Sequence, residues 1–348
     1  MKIAFIVTSL KNTGPIVVVH SIVKYLINKV DLIDVYYFED ASSTLIFDCD
    51  VFKINKSESI SFDKYDIIHS HTLKADTYVY NFRKKIIYSK ILTTIHQDTF
   101  KSFSMDYNSL VSFFLTHYWC YIQRRFDGVV SISNQIKNRY SKLLSNKITT
   151  IYNGCSIDNE IVNPNIERLI KSYKARGYKI LGSYAYITKR KGLSQVIQVL
   201  NLLPDYAFVI IGEGPYLEKI KKTVEKLNVS DRVLFIPYVQ APYSYLQFMD
   251  VYMMTSYSEG FGLAMVEAAL TKKSIVCSDI PSFHEIFEEN DVCFYKLDNS
   301  ESLIQSIKLA YNERAKRGEL AYSKADRFFT AKKMAHNHLH YYKKILNC

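Results

Sequence analysis

The chain predicts an α/β fold of two doubly wound parallel-sheet domains, and three observations carry that prediction. Short apolar strands alternate with helix-length segments over most of its length. Its 348 residues exceed one average domain. The strand, turn and helix with which it opens start afresh near Lys179.

Lys2 to Leu10 is an apolar strand, Lys11-Asn12-Thr13-Gly14-Pro15 turns, and Ile16 to Asn28 has helical apolar spacing at Val19, Ile22, Val23 and Leu26. Pro15 suits the first helical position, where its missing N–H is no loss. Further short strands follow at Asp34 to Phe38, Tyr65 to Ser70, Ile91 to Ile95 and Gly128 to Ile132, with a weak one at Val51 to Ile54. Ser133 offers an N-cap for the next helix. Ligands of such sheets gather at the carboxyl ends of strands, which is where His69, His71 and His96 fall. His69 reads as a hydrogen-bonded structural histidine, and a zinc site built on His69 and His71 lacks a third ligand at suggestive spacing. Asp48-Cys49-Asp50 precedes a weak strand and reads as a chance D-x-D rather than a metal motif. Asn108 to Arg125 is aromatic-rich, with Phe113, Phe114, Tyr118, Trp119 and Tyr121; it reads first as core, and second as a surface for a membrane or an acceptor sugar.

Residues 1–158 form the expected first domain, 159–178 the connection, 179–329 the second domain, and a last helix within 330–348 is expected to cross back onto the first. The second half begins with a strand, Lys179 to Tyr186, a basic turn, Thr188 to Gly192, and a helix from Leu193 to Leu203. Phe208 to Ile211 runs into Gly212-Glu213-Gly214-Pro215, Arg232 to Tyr238 is another strand, and Ser274 to Ser278 follows later. Ser282 with Glu285 has capping-box spacing. His336, His338 and His340 alternate on a helix, which spreads them around its axis and argues against a metal cluster.

Hydrophobic residues at 48% suffice for two cores and argue against disorder. Cys49, Cys120, Cys155, Cys277, Cys293 and Cys348 are scattered, without a C-x-x-C pair, so neither zinc nor a disulfide framework is indicated. The first ten residues carry too short an apolar run for a signal peptide, and no apolar stretch approaches the ~20 residues of a membrane span. A cytoplasmic protein is expected. The net charge of +11 comes from dispersed pairs and triplets such as Arg83-Lys84-Lys85 and Lys189-Arg190-Lys191, which suits a phosphate-bearing substrate or an anionic membrane surface better than nucleic acid.

The most informative stretch is Ser258-Glu259-Gly260-Phe261-Gly262-Leu263, between the apolar run Val251 to Tyr257 and a helix from Leu263 to Leu270. Glycines flanking Phe261 allow close backbone approach or positive φ, and the turn feeds a helix start whose amides suit an anion or hydroxyls. Glu267 lies about two helical turns beyond Glu259, roughly 12 Å if all were helix, a spacing that can grip two ends of one elongated polar ligand.

Glu259 and Glu267, with Gly260-Phe261-Gly262 after the first, resemble the E-x7-E motif of retaining glycosyltransferases of family 4, which have the GT-B fold of two Rossmann-like domains facing across a cleft. The resemblance is best from about Lys179 to Phe287 and thinner before it. It implies that Glu259 and the backbone of Gly260, Phe261, Gly262 and Leu263 hold the donor sugar and that Glu267 holds the ribose. It also implies that Lys191 clamps the diphosphate and that Gly212, in a G-x-G-P segment, approaches the nucleotide. Tyr186 stands where the family has an arginine, a departure with two readings: Arg190 or Lys189 compensates, or the donor differs. In the first half, Thr94-Ile95-His96-Gln97-Asp98 resembles a family segment whose histidine sits over donor sugar and phosphate, which makes His96 a catalytic candidate with Glu259 and Lys191. Gly14 matches one of two usual turn glycines, or belongs to an ordinary strand-to-helix turn.

The implied reaction is retaining transfer of a hexosyl group from a UDP or GDP sugar to a glycan or lipid-linked acceptor, in cell-surface polysaccharide or lipopolysaccharide synthesis. No metal cofactor is implied. The enzyme would be cytoplasmic, any membrane contact being peripheral on the inner face. A non-hydrolysing nucleotide-sugar epimerase and a non-catalytic nucleotide-sugar or glycan-binding protein are the rival classes; acceptor-free consumption of UDP sugar marks the first, and absence of any transfer or hydrolysis marks the second.

Overall fold

The computed structural model describes residues 1–42, 44–100, 109–144, 147–158 and 161–347. Asn108 at the start of the aromatic stretch, Asn159 at the start of the expected connection, and Cys348 lie outside them. The chain forms two compact units, Met1–Ser156 with Phe329–Cys348, and Ile157–Phe328.

The first unit is built on strands β1 (Lys2–Ser9), β2 (Leu32–Glu39), β3 (Asp50–Lys53), β4 (Ile67–His71), β5 (Lys90–Ile95), β6 (Gly128–Ser131) and β7 (Ile148–Thr150). They lie in the order β3-β2-β1-β4-β5-β6-β7, all parallel. The order reverses between β1 and β4, the switch point at which ligands of such sheets bind. Helix α1 (Gly14–Leu26) buries Ile16, Val18, Val19, Ile22, Val23 and Leu26 along one stripe. Each such aliphatic side chain contributes about 1.5–3 kcal/mol when fully buried. Helix α2 (Leu73–Asn81) and helix α3 (Ser109–Gln123) pack together, and α4 (Asn134–Leu144) starts with the Ser133 hydroxyl accepting from the Ile136 amide at 3.2 Å.

Asp76 of α2 ties these elements to the sheet. Its buried carboxylate accepts from Ser70 (2.6 Å), Thr93 (2.8 Å), Trp119 Nε1 (2.5 Å) and Gln123 Nε2 (3.2 Å). Burial pushes this carboxyl up to about 6, and the four donors hold it from going further.

The core reading of the aromatic stretch needs correction. The face α3 turns inward carries Ser112, Thr116, Trp119, Cys120 and Gln123, whereas Phe113, Phe114, Tyr118 and Tyr121 are exposed. The inward face follows the polar network around Asp76, so aromatic content misjudged which side is covered.

The second unit opens with helix α5 (Pro164–Ala175), so most of the stretch expected to be a connection is helical; Pro164 sits in its first turn and the Asn163 side chain caps the Asn165 amide at 2.9 Å. Its sheet comprises β8 (Lys179–Tyr184), β9 (Tyr206–Ile211), β10 (Val233–Ile236), β11 (Val251–Met254), β12 (Ser274–Ser278) and β13 (Cys293–Tyr295), in the parallel order β10-β9-β8-β11-β12-β13. The switch point falls between β8 and β11. Helices α6 (Ser194–Val199), α7 (Leu217–Lys226), α8 (Leu263–Leu270), α9 (Pro281–His284), α10 (Ser300–Asn312) and α11 (Arg314–Phe328) surround it. The capping box at Ser282 does not form: Pro281 takes the first helical turn, Ile280 precedes it, and Ser282 is buried inside α9 without a side-chain cap bond.

Helix α12 (Ala331–Leu346) returns to the first unit and packs beside α1. Backbone bonds between Cys155 and both Phe329 and Ala331 seat its start, and the Thr330 side chain caps the Lys333 amide at 3.2 Å. No helix among the described residues is long and apolar enough to cross a membrane.

Candidate active site

In the second unit the turns leaving β8 and β11 meet at the switch point. Gly262 adopts φ +98°, a conformation side chains resist, and caps α8. Phe261 is buried and anchors the turn, while Gly260 and Leu263 are partly accessible on either side. The opening amides of α8, starting at Leu263, have no partners inside the helix.

Glu259 stands before this turn in a nest of donors. Lys191 Nζ lies 2.7 Å from its Oε1, Ser256 Oγ donates to the same oxygen at 2.8 Å, and Arg190 lies 3.1 Å from Oε2. Arg190 also donates to the Ser258 carbonyl at 2.5 Å. Burial alone would raise the Glu259 carboxyl, but Lys191 and then Arg190 outweigh it and hold the group down at about 2. Glu259 is therefore ionised at neutral pH.

The basic turn is stitched to its neighbour by backbone. The Tyr257 amide donates to the Arg190 carbonyl at 2.8 Å and the Thr255 hydroxyl to the Lys191 carbonyl at 2.9 Å. Gly192 closes the turn at φ +63°, and a Cβ there would sit 2.1 Å from the Thr255 carbonyl oxygen. Of the two candidates to replace an arginine at position 186, Arg190 is seated beside Glu259 whereas Lys189 is exposed; Tyr186 itself is 68% exposed.

Glu267 occupies the second turn of α8 and accepts from the Tyr184 hydroxyl at 2.5 Å. Burial pushes its carboxyl up to about 7, with the Tyr184 bond acting in the opposite sense. The two glutamates thus differ: one is a fixed anion, the other poised near neutrality. Gly212, at φ +134°, follows β9; a Cβ there would sit 2.0 Å from the Ala185 carbonyl oxygen, so close backbone packing already requires this glycine.

In the first unit, Gly14 begins α1 just past the end of β1, with negative φ and nothing within 4 Å of where a Cβ would be. The fold does not require glycine there. Across the switch point the hydroxyls of Thr8 and Thr72 lie 2.7 Å apart. His96 follows β5, with its Nε2 2.8 Å from His71 Nδ1. Burial, and then the field of His338, hold His96 down at about 3. His69 is buried, with Nδ1 2.7 Å from the Tyr342 hydroxyl and Nε2 2.8 Å from the Thr94 hydroxyl, which is a structural role. No group of three or more His, Cys, Asp or Glu among the described residues could hold a metal ion.

Sequence reasoning missed Tyr184, Ser256 and Asp76, and placed His71 at the ligand-side end of a strand with His69 and His96 without giving it a role of its own. None sits inside a dense motif, and spacing held no signal for them; only Ser256, three residues before Glu259, was near enough to notice.

Two parallel sheets that each reverse strand order, with a charged cluster at a glycine turn of the second, define a doubly wound α/β protein with a polar site at the strand ends. The family model for glycosyl transferases group 1 matches residues 165–327, and that for glycosyltransferase family 4 matches residues 27–159. The O-antigen biosynthesis glycosyltransferase WclY of Escherichia coli is 33% identical over 344 residues, covering 96% of both chains. Anabaena HepE, solved in complex with UDP-glucose, superposes with a TM-score of 0.82 at 19% identity, covering 99% of this chain and 100% of that one. Sucrose-phosphate synthase from Thermosynechococcus elongatus superposes with a TM-score of 0.79 at 15% identity, with 99% of each chain covered. The chain belongs to the family-4 type of glycosyltransferases, and its fold is GT-B.

Proposed function

We propose that this glycosyltransferase moves a hexosyl group from a UDP or GDP sugar to a hydroxyl of a glycan or lipid-linked acceptor, with retention at the anomeric carbon, in the synthesis of an O-antigen or related surface polysaccharide. The observation that carries the reading is the cluster of Lys191, Arg190 and Glu259 beside the start of α8, with Glu267 one helical turn further in. The likeness to an O-antigen biosynthesis glycosyltransferase of Escherichia coli supports the pathway, and the UDP-glucose held by the Anabaena protein supports a nucleotide-sugar donor.

On this reading the anomeric carbon loses its bond to the diphosphate oxygen and gains one to the acceptor oxygen on the same face. The acceptor proton passes to a phosphate oxygen of the leaving diphosphate. Charge grows on the diphosphate as the sugar becomes cation-like, so preorganised positive groups matter most. Lys191, Arg190 and the amides opening α8 supply them, Arg190 taking the part that an arginine at position 186 would have. Glu259 orients and stabilises the donor sugar, Glu267 accepts from the ribose hydroxyls, and Gly212 flanks the nucleotide. His96 and Gly14 are the first unit's contributions.

A peripheral contact with anionic membrane belongs to the same proposal. The exposed Phe113, Phe114, Tyr118 and Tyr121 of α3 lie on a helix without acidic residues, followed by Arg124 and Arg125. Vesicles rich in phosphatidylglycerol should then sediment the protein, and neutral vesicles should not.

The deciding experiment is a thermal-shift screen of UDP and GDP sugars, followed by donor turnover with and without glycan acceptors. Stabilisation by one nucleotide class and transfer to an acceptor support the reading. Interconversion of the donor without acceptor would establish the epimerase instead, and binding without any turnover the binding protein.

A further inference from the structure

The interior of the first unit holds a run of imidazoles where β4 and β5 end. His71 closes β4, is wholly buried, and packs its ring 4.4 Å from that of His69 and 6.0 Å from that of Phe5, centroid to centroid. Only its Nδ1 has a partner, Nε2 of His96 at 2.8 Å; its own Nε2 is buried with none among the described residues. Both nitrogens of His69 are engaged with Tyr342 and Thr94, so His69 does not serve it.

A neutral imidazole carries one N–H and one lone pair. With the proton of His71 on Nε2, a buried donor would face no acceptor, an arrangement rarer in proteins than an under-used acceptor. The proton therefore belongs on Nδ1, where it is donated to His96 Nε2. His96, accepting at Nε2, then carries its own proton on Nδ1.

We propose that His71 is a positioning residue for transfer: its Nδ1–H fixes His96 in the Nδ1–H tautomer, leaving that N–H as the group His96 offers to a sugar hydroxyl or phosphate oxygen. His96 is then a neutral hydrogen-bond donor and not a base, because its only lone pair is taken. The tautomer stands on the geometry of the first unit alone, whereas the consequence for transfer rests on the reading of His96 as a residue that meets the substrate.

The test combines two-bond proton–nitrogen spectra of 15N-histidine-labelled full-length protein at pH 7.5 with steady-state hydrolysis of UDP-glucose and UDP-N-acetylglucosamine. His96 signals are assigned by their loss in His96→Gln. In the wild type His96 shows the Nδ1–H tautomer. His71→Asn, whose side-chain amide can place an N–H near the same point, keeps it. His71→Leu loses it, with kcat falling about tenfold, KM changing less than about twofold, and His71→Asn recovering most of the rate. An Nε2–H tautomer in the wild type, an unchanged tautomer in His71→Leu, or an unchanged kcat in that variant overturns the proposal. If His71→Leu does not fold, the spectra of the wild type and His71→Asn decide. UDP binding that ignores Lys191→Ala and Arg190→Ala would instead sink the donor-site reading and leave the tautomer result intact.

Discussion

The Tyr184 hydroxyl, at the end of β8, donates to Glu267 Oε2 in the second turn of α8 at 2.5 Å, joining residues 83 apart in sequence. The contact spans the switch point of the second sheet and holds a carboxyl that burial pushes up to about 7. A ribose diol donates to a carboxylate more strongly than to a carboxylic acid. UDP affinity should accordingly rise between pH 6 and pH 8, as isothermal titration calorimetry can show. Tyr184→Phe removes the bond that favours the ionised form, so the midpoint should move up by about one pH unit.

The same group has a consequence for stability. Its folded-state pKa lies above the ordinary 4.5, so its contribution is fully present below about pH 4.5 and is lost as pH rises through about 7. Glu267→Gln should flatten that part of the Tm-against-pH curve, measured without nucleotide. Glu259, held at about 2 against an ordinary 4.5, acts in the opposite sense: its contribution is present above about pH 4.5 and is lost as pH falls toward about 2.

Arg190 and Lys189 separate cleanly as tests of the clamp. Arg190 lies beside Glu259 and Lys189 is exposed, so Arg190→Ala should weaken UDP binding about tenfold or more and Lys189→Ala less than about twofold. Equal effects of the two would remove Arg190 from the diphosphate site. Glu259→Gln should depress turnover about a hundredfold with a smaller effect on UDP affinity, and equal loss of both would contradict the division of labour between the glutamates.

Two glycines give opposite expectations. Gly192→Ala forces a side chain at φ +63° to within 2.1 Å of the Thr255 carbonyl oxygen and should cost at least ~2 kcal/mol in denaturant unfolding of the second unit. Gly14→Ala meets nothing within 4 Å and should change stability by less than ~0.5 kcal/mol. A fall in turnover without a fall in stability would then assign Gly14 to ligand binding.

Asp76→Asn puts an N–H2 group among four donors that need an acceptor, so the first unit should lose about 2–4 kcal/mol, read as a lowered unfolding midpoint.

Apolar periodicity and turn residues were enough to place the strands from Lys2–Ser9 to Ser274–Ser278 within a few residues, because side-chain burial on a strand or helix is set by neighbours close in the chain. The turn from Ser258 to Leu263, with Glu259 and Glu267 around it, was legible for the same reason: its whole pattern lies within ten residues. The inward face of α3 was misjudged because Trp119 and Gln123 are drawn in by Asp76, a partner more than forty residues away. Where the chain meets itself was decided only in three dimensions. Lys191 reaches Glu259 over 68 residues and His69 reaches Tyr342 over 273, contacts set by strand order and register and by the docking of the last helix. Residue types and local spacing determined which groups were available for chemistry; tertiary packing determined which of them meet, and through burial and partners made one glutamate a permanent anion and its neighbour a group that titrates near neutrality.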